Sequence, residues 1–165
     1  MEAVGKETMS IRPIDVRGKR VLLLTACVSI VYISWLFLRP VEIVAVHQRN
    51  NFSAVLVKNF PLTEQGKISW WMNNKDMLKM RYGIPKPASY GSFTITFWLF
   101  GDGYKEEGKY DRLCFDDMDT KFNCIEKDAV FSVNNDSRNR IHFTTYSGDD
   151  YLLKDNGEVV SYEYR

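Results

Sequence analysis

VLLLTACVSIVYISWLFL, from Val21 to Leu38, holds eighteen residues without a charge, and its reading decides how the rest of the chain is placed. As a helix rising about 1.5 Å per residue it spans roughly 27 Å, close to the bilayer's hydrocarbon core of about 30 Å. Three readings compete for it. A cleaved export signal has a shorter apolar core and then a small-residue cleavage site, and Arg39-Pro40-Val41-Glu42 lacks one. Leu24-Thr25-Ala26-Cys27 has the residue types of a lipid-attachment box, but eleven uncharged, largely apolar residues follow Cys27. The stretch therefore reads as an uncleaved spanning helix, with Cys27 a small apolar residue inside it. Arg17, Lys19 and Arg20 precede the run and only Arg39 closely follows. That asymmetry places residues 1–20 in the cytoplasm as a basic tail and sends residues 41–165 across the membrane. Tyr32 and Trp35 suit an interfacial aromatic belt.

The part beyond Pro40 is long enough for one domain of ordinary size. With 45% apolar and 14% aromatic residues the chain can furnish a core, and a net charge of +1 offers no footprint for nucleic acid. Cys114 and Cys124 are the two cysteines outside the apolar run. In an oxidising compartment such a pair can close a disulfide, worth about 3 kcal/mol in the chain-entropy model. Two cysteines without nearby histidines are half a zinc site at best.

Val41–Val46 and Ala54–Val57 are β-branched runs separated by His47–Asn51, which reads as strand, turn, strand. Pro61 ends the second run, Thr63 can cap a helix, and Glu64 falls in the first turn where the helix dipole favours a carboxylate. Ile68, Trp71, Met72, Leu78 and Tyr82 recur at helical spacing, with Lys67, Asn74, Lys75 and Lys79 mostly elsewhere, and Gly83 then Pro85 mark the stop. Phe93, Ile95, Phe97 and Leu99 alternate with Ser92, Thr94, Thr96 and Trp98, a strand with one buried face. Further strands are expected at Lys109–Phe115, within Phe122–Val133, at Ile141–Tyr146, and on either side of the turn at Asp155-Asn156-Gly157. The fold class is α+β: one N-terminal transmembrane helix, then a small, mostly antiparallel sheet with one main covering helix.

Asp111, Asp116, Asp117, Asp119 and Glu126 form the densest acidic group. They lack the order of a calcium loop, and a solvated loop or a partner-facing patch is the simpler reading. Gly101–Gly108 follows a strand without opening a helix, so it is a hairpin connection, with Tyr104 as its exposed anchor. His47 and His142 carry no catalytic signature and read as surface or strand histidines. No enzymatic activity and no cofactor is expected. Charge complementarity and aromatic anchoring make Tyr104, Asp111, Asp116, Asp117 and Asp119 the expected contacts for a protein partner.

Arg39–His47, Val55–Thr63, Gly66–Trp71, Asn74–Lys79 and Tyr82–Pro87 together resemble a family of small enterobacterial membrane proteins, catalogued as domain-of-unknown-function family nine-four-three. Phe97–Met118 and Asn123–Lys127 are the most specific pieces of that resemblance. It implies a bacterial inner membrane and a periplasmic domain, and no known reaction. Occurrence of such proteins near toxin and secretion genes suggests an immunity or accessory role. The expected function is a membrane-anchored, protein-binding periplasmic domain. The alternatives are a structural subunit of an inner-membrane complex and an envelope ligand sensor or enzyme with a histidine beside a carboxylate.

Overall fold

The computed structural model describes residues 16–146 and 148–162, so most of the expected basic tail lies outside the described residues. The chain divides into two compact units, Met1–Arg39 and Pro40–Arg165. The first contains helix α1, Val16–Leu38. Its stretch Arg17–Trp35 has a mean hydropathy of 1.3 and is long and apolar enough to cross a membrane. Uninterrupted apolar residues satisfy every backbone group internally when they are helical, which is what a bilayer demands.

The second unit runs, in chain order, β1 (Glu42–Arg49), β2 (Phe52–Lys58), α2 (Glu64–Tyr82), β3 (Thr94–Leu99), β4 (Lys105–Glu106), β5 (Arg112–Cys114), β6 (Phe122–Glu126), β7 (Ala129–Asn135), β8 (Ile141–Thr144), β9 (Asp150–Leu153) and β10 (Val159–Tyr162). Seven strands make one sheet in the order β1-β2-β3-β7-β8-β9-β10, and β4-β6-β5 make a second. The class is α+β, with antiparallel pairing everywhere except between β2 and β3. That pair is parallel, with Phe52 opposite Thr94 and Val57 opposite Leu99. A parallel neighbour requires a crossover, and α2 supplies it. Its caps are those the sequence expects: the Thr63 side chain accepts from Gly66 N–H at 3.1 Å, and Gly83 ends the helix with a φ of 67°. Glycine takes that left-handed conformation without the penalty a Cβ would impose.

The strand β2 is covered on both faces. Val55 and Val57 join Ile95, Phe97, Phe131, Val133 and Phe143 in a core closed by Ile68, Trp71 and Leu78 of α2. Leu56 points the other way, into a smaller core with Phe115 and Ile125 of the second sheet. Trp98 belongs to that smaller core, so β3 is covered on both faces where one was expected.

Other expectations need correction. The turn expected over His47–Asn51 shrinks to Asn50 and Asn51, because Asn50 takes a left-handed φ of 56° that asparagine tolerates, and β1 extends to Arg49. The segment Phe122–Val133 breaks at Lys127-Asp128 into strands of different sheets, where Asp128 donates to Glu126 and accepts from Leu99 N–H. The turn at Asp155-Asn156-Gly157 is where it is expected, a three-residue loop in which only the glycine has positive φ and Lys154 and Glu158 pair. Lys67, expected on the solvent side, is 5% exposed. Burial pushes its ammonium below its ordinary pKa, and the Glu64 charge opposes that shift.

Glu64 ties the helix start to the β8–β9 connection. Its carboxylate accepts from Thr145 Oγ1 at 3.1 Å and from the Tyr151 hydroxyl. A Cβ on Gly148 would fall 1.4 Å from Glu64 Oε1, so this approach requires glycine. The Tyr151 hydrogen bond holds the Glu64 carboxyl below its ordinary range, and the same bond pushes the Tyr151 phenol up to about 12. The raised phenol contributes stability that is complete below its unfolded value of about 10 and is lost as pH rises toward about 12. Thermal melts of the full chain in detergent should show this alkaline loss. Tyr151→Phe should lower the midpoint at pH 7 and flatten that alkaline arm, and an unchanged arm would remove Tyr151 as its cause.

Candidate functional site

His47 lies in β1 opposite Ala54, and the shortened turn puts it inside the strand. It is 9% exposed. Its Nδ1 is 2.8 Å from Asp117 Oδ1 and 3.0 Å from Oδ2, and its Nε2 is 2.8 Å from the Tyr104 hydroxyl. A carboxylate only accepts, so Nδ1 carries a proton and donates, which leaves Nε2 of a neutral ring to accept from Tyr104. Phe115 stacks on the imidazole with ring centroids 3.8 Å apart. Tyr104 packs edge-on against Phe100 and Phe115. Burial, then the Asp117 charge, raises the phenol of Tyr104 above its ordinary pKa.

The histidine is the seam between the two sheets: β1 supplies it, and the segments around β4 and β5 supply its partners. Alongside lies an open groove of about 360 Å³, walled by His47, Phe52 and Ala54 on one side and Leu113, Phe115 and Asp117 on the other. Phe52 is 58% exposed. On the rim, Arg49 Nη1 lies 3.4 Å from Asp116 Oδ2, with both side chains largely in solvent, so the pair adds little stability.

The Cys114–Cys124 disulfide holds this wall, joining residues directly opposite each other on β5 and β6. The remaining acidic residues separate. Asp111 pairs with Lys127 at the other end of β5. There Glu126 accepts from Lys105 at 3.0 Å and from Arg112 at 3.2 Å, and these bonds hold its carboxyl below its ordinary range. Asp119 is exposed on the loop beyond. The structure thus brings Tyr104, Asp116 and Asp117 to one place and leaves Asp111 at another. Tyr104 is half-buried, not the exposed anchor expected, because its hydroxyl is engaged by His47.

His142 is also buried and lies 3.2 Å from Asp136, whose carboxylate further accepts from Arg138 and Arg140. The Arg140 backbone N–H leads in driving that carboxyl far below its ordinary range. The bonds from Arg138 and Arg140 close the turn that leads into β8, and His142 braces it from the strand. Among the described residues no group of three or more His, Cys, Asp or Glu is placed to hold a metal.

His47 enters the sequence reading as a site residue only under the ligand-sensor or enzyme alternative, and Phe52 does not enter it. The available signal was the Asn50-Asn51 pair, which can make a tight turn and so return His47 to its strand.

The family model described as Enterobacterial putative membrane protein (DUF943) matches residues 17–163. The chain belongs to that family. The match takes in α1 and nearly the whole of the second unit, so the anchor-like helix, the seam at His47 and the groove all fall within the family's span. No curated protein and no solved structure matches the chain.

The seam is testable by a double-mutant cycle. Tyr104→Phe and Asp117→Asn should each cost about 1 kcal/mol, and because both act on one imidazole their effects should be non-additive by at least about 0.5 kcal/mol. Urea unfolding of the two single variants and the double variant gives the coupling. Strict additivity would show that His47 does not link them.

Proposed function

We propose that this DUF943 protein is a single-pass inner-membrane protein with its N-terminus in the cytoplasm, whose periplasmic domain binds a protein partner in the groove beside His47. The groove carries the reading. Its apolar wall, with Phe52 exposed and Phe115 and Leu113 facing it, is rimmed by Arg49, Asp116 and Asp117. An apolar centre with a charged rim and an aromatic anchor is the anatomy of a recognition surface. The basic residues before α1 support the orientation, and the disulfide supports an oxidising compartment. The specific form of this reading is an immunity or accessory protein facing a toxin or a secretion component. Anchoring would concentrate it where such a partner arrives.

A second reading, a ligand sensor or enzyme, is favoured by one observation: His47 lines the groove and is oriented by a carboxylate. Both its ring nitrogens are already engaged, at 2.8 Å each. A ligand could use the imidazole only by displacing Tyr104 or Asp117, so protein recognition is the stronger reading and no catalytic role is assigned.

A photo-crosslinking amino acid placed at Phe52 in living cells tests the reading. Irradiation should yield one discrete heavier species from position 52 and none from Leu62 or Met80, which are exposed at other places on the domain. Equal adducts at all three positions, or none at 52, would overturn the assignment.

A further inference from the structure

The register of the small sheet determines what the groove can hold. Phe115 N–H donates to Asn123 O at 2.9 Å, and in the same antiparallel ladder Leu113 faces Ile125 while Arg112 faces Glu126 and Cys114 faces Cys124. Hydrogen-bonded and non-hydrogen-bonded pairs alternate along such a ladder. Phe115 and Leu113 therefore spend their backbone groups on β6, and Arg112 and Cys114 turn theirs away from it. β5 is an edge strand with β6 as its only neighbour, so among the described residues no backbone group pairs with that outward row. An unpaired row of this kind can accept another strand, and the three residues of β5 limit the pairing to a short one.

The edge is also next to the groove. Leu113, Cys114 and Phe115 form one wall of it, and Phe52 and Ala54 stand across. A strand laid along β5 would direct alternate side chains toward that apolar space and the others to solvent.

From this we infer that the partner engages the groove as an extended polypeptide segment, adding a strand to β5 through the outward backbone groups of Arg112 and Cys114. The inference rests on the protein-binding reading above and specifies its mode. Alternating N–H and C=O groups recognise a polypeptide backbone, and the neighbouring apolar space selects its inward side chain. Two carboxylates, Asp116 and Asp117, against one guanidinium, Arg49, leave the end of the groove acidic. The incoming strand therefore carries an apolar residue at Phe52 and a lysine or arginine beyond it.

The test uses the full-length chain in lipid nanodiscs and random dodecapeptides displayed on phage. A selected peptide should lose at least about tenfold in affinity to Phe52→Ala, an exposed-site change that leaves the melting temperature intact. N-methylation at alternate peptide positions should each weaken binding about tenfold, with the intervening positions tolerated, since one lost hydrogen bond is worth about that factor. Amide exchange at Arg112 and Cys114 should slow on binding. A groove-bound peptide with no alternation and no slowing at these two amides would overturn strand addition and leave the groove as a binding site. Failure to select any peptide sensitive to Phe52→Ala would overturn both.

Discussion

The Cys114–Cys124 disulfide is the constraint on which the small sheet, and with it the groove beside His47, depends. The small sheet has strands of two, three and five residues, too little to be stable by itself. The bridge joins opposed residues at a position where two antiparallel strands come closest and share no backbone bonds. In the chain-entropy model it contributes roughly 3 kcal/mol. It holds β5 against β6, and β5 leads directly into Phe115 and Asp117, the stacking and carboxylate partners of His47. The bridge thus sets the geometry of the site through the short strand it holds in place.

What the bridge stabilises is a lid over the far face of the large sheet. A parallel β2–β3 pair buried on both faces needs two covers. The helix α2 is one, and its apolar face packs on Val55, Val57, Ile95 and Phe97. The other cover is small, centred on Leu56, Phe115 and Ile125. Fully burying such side chains contributes about 1.5–3 kcal/mol each. The groove lies where this second cover ends against the β1–β2 hairpin. It is a consequence of how two layers of unequal size meet, and His47 fills the seam with its nitrogens satisfied.

Local chemistry was legible in the sequence and long-range pairing was not. The long apolar helix, the Thr63 and Gly83 caps, the alternation in β3 and the cysteine pair all announce themselves within short windows, and the family match agrees with them. The parallel register of β2 and β3 did not, because nothing in either strand states which neighbour lies beyond the helix. Covering by the small sheet was hidden for the same reason: Leu56 and Trp98 owe their burial to residues about 15 to 70 positions away. Tyr104 and Asp117 looked like solvated loop residues because their partner, His47, is brought to them only by tertiary packing. Grouping the acidic residues by sequence proximity failed at Asp111, since a three-residue strand separates it from Asp116 and Asp117 by the length of β5.

The most direct measurement is the redox state of Cys114 and Cys124 in living cells. Thiols are trapped by rapid acid quenching and alkylated, and the peptides are read by mass spectrometry for the full chain and for a version lacking residues 1–39. The account predicts a linked Cys114–Cys124 peptide from the full chain and alkylated thiols from the version confined to the cytoplasm. Alkylated thiols from the full chain would place the domain on the reducing side, and the topology, the lid and the proposed partner would fall together.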